Sequence, residues 1–150
     1  MARYLTLALF LFFVIGGGTL IGASSPPGEW YAALEKPAFQ PPGWLFGPVW
    51  TVLYILIAIA GWRTWQRRAE GPAMQVWFAQ MAVNFIWSPA FFVMHLPGLA
   101  LVIVLLLAVL VAAFISLNWN RDRTSAILFM PYLAWVSFAS LLNAAVWWLN

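Results

Sequence analysis

Five runs of apolar residues, each about as long as a bilayer core is thick, follow one another along this chain. They extend over Tyr4 to Ala23, Trp44 to Trp65, Met74 to Met94, Pro97 to Trp119 and Ser125 to Leu149. A helix needs roughly 20 apolar residues to cross the hydrocarbon core, so each run predicts a spanning helix. The interruptions carry the chemistry of helix ends. Ser24-Ser25-Pro26-Pro27-Gly28 stops the first run, and Arg67-Arg68-Ala69-Glu70-Gly71-Pro72 the second. His95-Leu96-Pro97-Gly98 predicts a tight third connection, and Asn118 to Arg123 the fourth. The expected fold is an all-α membrane protein, a five-transmembrane-helix bundle forming one domain over 1–150. An odd helix count without internal repeat argues against a simple inverted-repeat transporter.

Composition strengthens this picture. The 150 residues are 65% hydrophobic and 7% charged, more apolar surface than a soluble domain of this size can hide. Arg3, Arg63, Arg67, Arg68, Arg121 and Arg123 fall on one side of the predicted bundle, and the other side has only Lys36, beside Glu29 and Glu35. The positive-inside rule then places the amino terminus in the cytoplasm of a bacterial cell membrane; an outer or organellar membrane stays open. The net positive charge is thus a topology signal, with no nucleic-acid partner implied. Arg3, the first apolar run and Ile21-Gly22-Ala23 also resemble a cleavable signal peptide, but the run is long for one. With no cysteine, disulfide and thiol chemistry are excluded.

Polar side chains within the spans mark the bundle interior, because in lipid they must find partners. Gln80 and Asn84 stand four apart on the third span, and Trp87 and Phe91 continue that face. On the fifth, Trp135, Ala139, Leu142, Asn143 and Val146 form a comparable stripe, with Ala139 leaving room beside large rings. On the first, Gly18 and Gly22 form a GxxxG pair. Closed by Tyr31, Pro41, Phe46 and Trp50, these faces are expected to enclose an apolar cavity with a few amide groups. Plainer readings stand beside this one. Gln80 and Asn84 suit interhelical hydrogen bonding equally well, and a GxxxG pair serves packing more often than ligands. Trp62, Trp65, Trp119, Trp147 and Trp148 sit where interfacial tryptophan belts form.

The first connection, 24–43, is rich in prolines and aromatics. Pro37, Pro41 and Pro42 lack a backbone donor and fix φ, predicting a stiff, extended lid. The residues Trp30, Leu34, Lys36-Pro37, Pro41-Pro42, Trp44, Trp50-Thr51 and Leu53-Tyr54 resemble the signature of the TspO/MBR family, the translocator proteins, peripheral-type benzodiazepine receptors and tryptophan-rich sensory proteins. Further blocks follow in the family's order: Asn84, Trp87 and Phe91-Phe92, then Pro131-Tyr132, Trp135, Ala139 and Leu142-Asn143.

That resemblance implies a receptor or translocator binding porphyrins such as protoporphyrin IX and haem, sterols, and isoquinoline-carboxamide or benzodiazepine-type drugs. A flat aromatic ligand also suits the residues, since it would stack on indole rings. The resemblance carries a ligand-pocket role onto Tyr31, Pro41, Trp50, Asn84, Trp135, Ala139 and Leu142; Gly22, Phe46 and Trp87 join them from the face analysis. It implies no obligatory cofactor. Trp50 and Trp135 match a pair implicated in light-driven porphyrin breakdown, an enzyme-like alternative; a membrane scaffold is a second. The sequence departs from the family at Phe39, where many members have tryptophan, and at Leu142 to Trp148, which lacks the tyrosine and base of the animal sterol motif. That absence counts against sterol binding.

Conventional catalysis finds little footing, because Glu29, Glu35, Glu70 and Asp122 all fall in connections. His95, beside Met94, is a candidate haem ligand, with a solvated-loop role as the plainer reading. No cluster suggests a catalytic metal. The resemblance further implies a homodimer formed through the third span, where Ala79 and Ala82 offer small residues but Ile86 does not.

Overall fold

The computed structural model describes all 150 residues. Five helices are long and apolar enough to cross a membrane. The first is α1 (Ala2–Ser24). A short helix, α2 (Gly28–Ala33), lies in the connection that follows, and a 3₁₀ turn at Gly43–Leu45 leads into α3 (Phe46–Arg68). The third span is α4 (Pro72–Ser88), extended by a π-helical turn over Pro89–Val93. The fourth is α5 (Pro97–Asn118), and the fifth joins α6 (Arg123–Leu128) to α7 (Met130–Leu149).

Proline sets several of these boundaries. Pro72 and Pro97 open α4 and α5, where a missing N–H costs nothing. Within the third span Pro89 has no N–H for its own helical bond, and the chain widens there into i→i+5 bonding, with the Met94 N–H donating to the Pro89 carbonyl at 2.9 Å. The turn ends at His95, the one non-glycine residue with positive φ (57°). Pro131 acts similarly in the fifth span, where Phe129 closes α6 with a bond to Ala126 before α7 begins. The connection expected to be extended contains α2, because Gly28-Glu29-Trp30-Tyr31-Ala32-Ala33 carries no proline to prevent a helix.

The helices form a ring in the order α1, α3, α6–α7, α5, α4, with α4 returning to α1. At its centre Trp77, Ile57, Met74, Met81, Val111, Phe114, Phe129 and Val136 are fully or almost fully buried. Only 34 of 150 residues are buried, and many apolar side chains, including Leu9 and Phe12 of α1 and Val102 and Val109 of α5, face outward, as suits helices surrounded by lipid. The end carrying the amino terminus is tied by polar contacts. Trp62 Nε1–H donates to the Arg3 carbonyl at 2.9 Å, and Arg63 pairs with Asp122 at 3.0 Å.

Candidate functional site

Polar residues inside the ring are joined in one chain of hydrogen bonds. The Asn84 amide on α4 donates to the Tyr132 hydroxyl on α7 at 2.7 Å, and that hydroxyl donates to Gln80 Oε1 at 2.7 Å. Tyr54 Oη of α3 reaches Asn84 Oδ1 at 3.5 Å. Gln80 and Tyr132 are fully buried and Asn84 nearly so. Such groups in hydrocarbon each need a partner, and pairing them across α3, α4 and α7 fixes the rotation of all three helices. One donor, Gln80 Nε2, has no protein partner.

Nearer the lid a second polar contact crosses the ring. Trp87 Nε1–H donates to Asn143 Oδ1 at 2.9 Å, and the Asn143 amide donates to the Pro97 carbonyl at 2.8 Å. Asn143 thereby joins α4, α7 and the start of α5.

Between the Asn84–Tyr132 level and the lid stands a set of aromatic rings. Phe46 meets Trp135 edge-on with centroids 5.6 Å apart, and Trp50 packs on Tyr54 at 5.4 Å and Tyr132 at 6.4 Å. Packing explains why this region is aromatic. α3 lies close against α6 but touches α7 only sparsely, so the two helices diverge toward the lid and large side chains fill the gap. Ala139, half-buried, provides a small position on α7, and Leu142 is buried about one turn nearer the lid. The rings pack on one another here.

The lid is pinned by its own polar contacts. Lys36 Nζ donates to the carbonyls of Tyr31 (2.7 Å) and Leu34 (3.2 Å) and lies 4.5 Å from the Tyr31 ring centroid. Gln40 Nε2 donates to the Tyr31 hydroxyl at 2.8 Å. Burial pushes that hydroxyl above the ordinary tyrosine range, with the Gln40 bond pulling the other way. Tyr31 in turn packs on Phe91 (6.0 Å) and Phe92 (5.3 Å), the rings of the π turn. The Asn150 side chain accepts from the Glu35 N–H and donates to the Glu35 carbonyl, holding the lid to the end of α7.

The expected site residues therefore divide. Phe46 meets Trp135 and Trp50 meets Tyr132, the partner of Asn84, across the α3–α7 gap; Ala139 and Leu142 follow on α7, and Tyr31 and Pro41 lie in the lid, with Tyr31 against Phe91 and Phe92. Trp87 is committed to Asn143. Gly22 is exposed, with nothing within 4 Å of where a Cβ would stand, while Gly18 receives the Tyr54 ring. The glycine pair thus makes two different contacts. His95 is exposed in the α4–α5 connection with its ring stacked on Trp30 at 4.3 Å. No three His, Cys, Asp or Glu residues cluster to hold a metal. Sequence reasoning missed the roles of Tyr54 and Tyr132 as partners of Asn84, although a hydroxyl inside an apolar run was the available signal.

The chain as a whole is similar to known proteins. The family model of the TspO/MBR family matches residues 8–149. Protein CrtK of Rhodobacter capsulatus is 37% identical over 155 residues, covering 97% of this chain and 94% of its own. The tryptophan-rich sensory protein of Cereibacter sphaeroides is 39% identical over 145 residues (95% and 92% covered), and the human translocator protein 35% over 139 residues (87% and 82%). With five spanning helices and a match over nearly its whole length, this chain is an integral membrane protein and belongs to the TspO/MBR family.

Proposed function

We propose that this protein binds porphyrins, protoporphyrin IX and haem among them, and related apolar aromatic ligands in the gap between α3 and α7 beneath the lid. Its role is sensing, sequestering or moving tetrapyrroles, in keeping with relatives named as a sensory protein and a translocator protein. The observation that supports this reading is the sparse α3–α7 contact, filled by Phe46, Trp50 and Trp135 above the Asn84–Tyr132 pair. A planar macrocycle entering the gap replaces ring–ring contacts with ring–macrocycle contacts of the same kind, so little apolar burial is lost. Its propionates stay near the lid, where Lys36 supplies a cation. Isoquinoline-carboxamide and benzodiazepine-type drugs suit the same aromatic wall, and sterols suit it less well.

Titration with protoporphyrin IX in lipid nanodiscs, in the dark, tests the reading. The parent is expected to bind saturably near one per protomer, and both Trp135→Ala and Ala139→Phe to weaken binding. Non-saturating partition indifferent to both substitutions would refute it and favour the scaffold reading. A light-driven breakdown of porphyrin by dioxygen draws support from the contacts of Trp50 with Tyr54 and Tyr132, a run of oxidisable rings. It predicts a bilin-like absorbance under illumination that disappears in Trp50→Phe; equal bleaching of free porphyrin in detergent would rule it out.

The proposed setting is a bacterial cell membrane with the amino terminus cytoplasmic, following the arginine distribution. The proposed assembly is a homodimer through α4, whose Ala79, Ala82 and Ile86 are exposed. Crosslinking in native lipid that yields only monomer would exclude it.

A further inference from the structure

Five arginines gather at the end of the bundle opposite the lid. Arg3 of α1, Arg63, Arg67 and Arg68 of α3, and Arg121 before α6 line two adjoining concavities of about 240 and 420 Å³, which share Arg67 and Arg121. The smaller lies between the α3–α4 turn, at Gly71 and Pro72, and the end of α5, at Ser116 and Asn120. One carboxylate, Asp122, faces this trough, and it is engaged by Arg63 and by the Ser125 hydroxyl. Partial burial raises its pKa, but those hydrogen bonds outweigh the effect and hold it below the usual carboxylate range. Glu70, in the same turn, is exposed and lines neither concavity. Arg67, Arg68 and Arg121 have no ion-pair partner.

Orientation by the positive-inside rule needs only a charge count, whereas this arrangement is positioned. Arg67 Nη2 donates at 2.8 Å to Asn118 Oδ1, and the fully buried Asn118 is itself fixed by donating to the Phe114 carbonyl at 3.1 Å. A guanidinium held by a buried amide has already lost the rotamer freedom that ligand binding would otherwise cost. Guanidinium groups match phosphate oxygens in a two-pronged geometry. The first turn of α4 adds backbone N–H groups with no acidic residue and no side-chain cap on them.

We propose that this trough is a site for the phosphodiester headgroup of an anionic membrane lipid. Its place at the ends of the spanning helices favours a lipid over a free ion. The trough caps the ends of spanning helices at the level of exposed Trp65 and Trp119, and Leu117 on its wall begins an outward apolar strip that continues through Val109, Leu106 and Val102 of α5. Acyl chains lie along that strip when the headgroup sits among the arginines.

Native mass spectrometry of the full-length, delipidated protein, without porphyrin, tests the site with phosphatidylglycerol and phosphatidylcholine of identical chains. A saturable single adduct of phosphatidylglycerol, preferred over phosphatidylcholine, is expected. Arg121→Gln and Arg67→Gln should each weaken it by about fivefold. Arg123→Gln removes the same charge from a guanidinium outside the trough, 4.6 Å from the Trp119 ring centroid, and should leave the adduct unchanged. Arg121 has no side-chain partner, so its variant keeps the test valid if Arg67→Gln perturbs folding. Equal binding of phosphatidylcholine, or equal losses for Arg121→Gln and Arg123→Gln, would overturn the site. Displacement of the lipid by millimolar inorganic phosphate would overturn the lipid assignment in favour of a free anion. Because porphyrin is absent, failure here leaves the proposed porphyrin pocket standing.

Discussion

Replacing Gly61 by alanine sets two opposing effects against each other at the centre of the bundle. Gly61 of α3 abuts the Trp77 indole of α4, and a methyl group there would stand 2.4 Å from Cε2 and 2.6 Å from Nε1. Carbon contacts normally lie at roughly 3.5–4.0 Å, so the ring must retreat by about 1 Å. Trp77 has little room to do so. It is fully buried, its N–H donates to the Ile57 carbonyl at 3.0 Å, and Phe10 and Phe78 press on it with centroids 5.2 and 5.1 Å away. Overpacking costs about 1–3 kcal/mol, and a disturbed hydrogen bond in a membrane bundle about 0.6 kcal/mol more. Alanine gains back about 1 kcal/mol over glycine in a helix. The balance is a loss of about 0.6–2.6 kcal/mol, measurable by SDS titration in mixed micelles followed by far-UV circular dichroism. Gly22→Ala, facing open space, provides the control and should be neutral or slightly stabilising. In a Trp77→Leu background the penalty should vanish. A Gly61→Ala protein as stable as the parent, or an equal loss in the Trp77→Leu background, would refute the steric argument.

Gly18→Ala places a methyl group 2.4 Å from Tyr54 Cε2 and pushes the ring toward Trp50 and Asn84. Porphyrin affinity by fluorescence quenching should fall by about tenfold, and an unchanged value would detach Tyr54 from the site. Asn143→Leu strips partners from the Trp87 N–H and the Pro97 carbonyl, a loss of about 1–3 kcal/mol in the same SDS titration. No loss would mean that those groups find other partners. Asp122 has its pKa lowered in the folded protein, so its contribution is present above the unfolded carboxylate value and disappears as pH falls through the lower folded one. Thermal midpoints of the parent should therefore drop below pH about 4 more than those of Asp122→Asn; parallel curves would show that the Arg63 pair adds nothing.

The spans were legible because an apolar run of bilayer length has one solution in lipid. Asn84 and Gln80 were legible as inward-facing for a related reason, being amides where hydrocarbon offers no partner. Their actual partners were not, since Tyr132 lies some fifty residues away and helix adjacency is not written into helical periodicity. The glycine pair was legible as a motif, but not that its two members have different surroundings: α3 packs along α1 and brings the Tyr54 ring onto Gly18, and nothing lies within 4 Å of where a Cβ on Gly22 would stand. The π turn was hidden because a single proline in an apolar run signals a kink or an end without saying which. The lid's prolines were read correctly as breaks, and the helical turn before them went unnoticed.

The widened turn at Pro89–Val93 changes what variation the third span can tolerate. An α-helix turns through about 100° per residue, and a π turn absorbs one extra residue without passing that rotation on. Phe91 and Phe92 both reach Trp87, at 5.2 and 5.8 Å, and both receive Tyr31 of the lid. Deleting one residue here would restore regular spacing and swing one ring out to lipid, whatever its identity. Chain length is therefore the inherited quantity at this point, and relatives that dock a lid in the same way should differ here in residue type far more readily than in residue number.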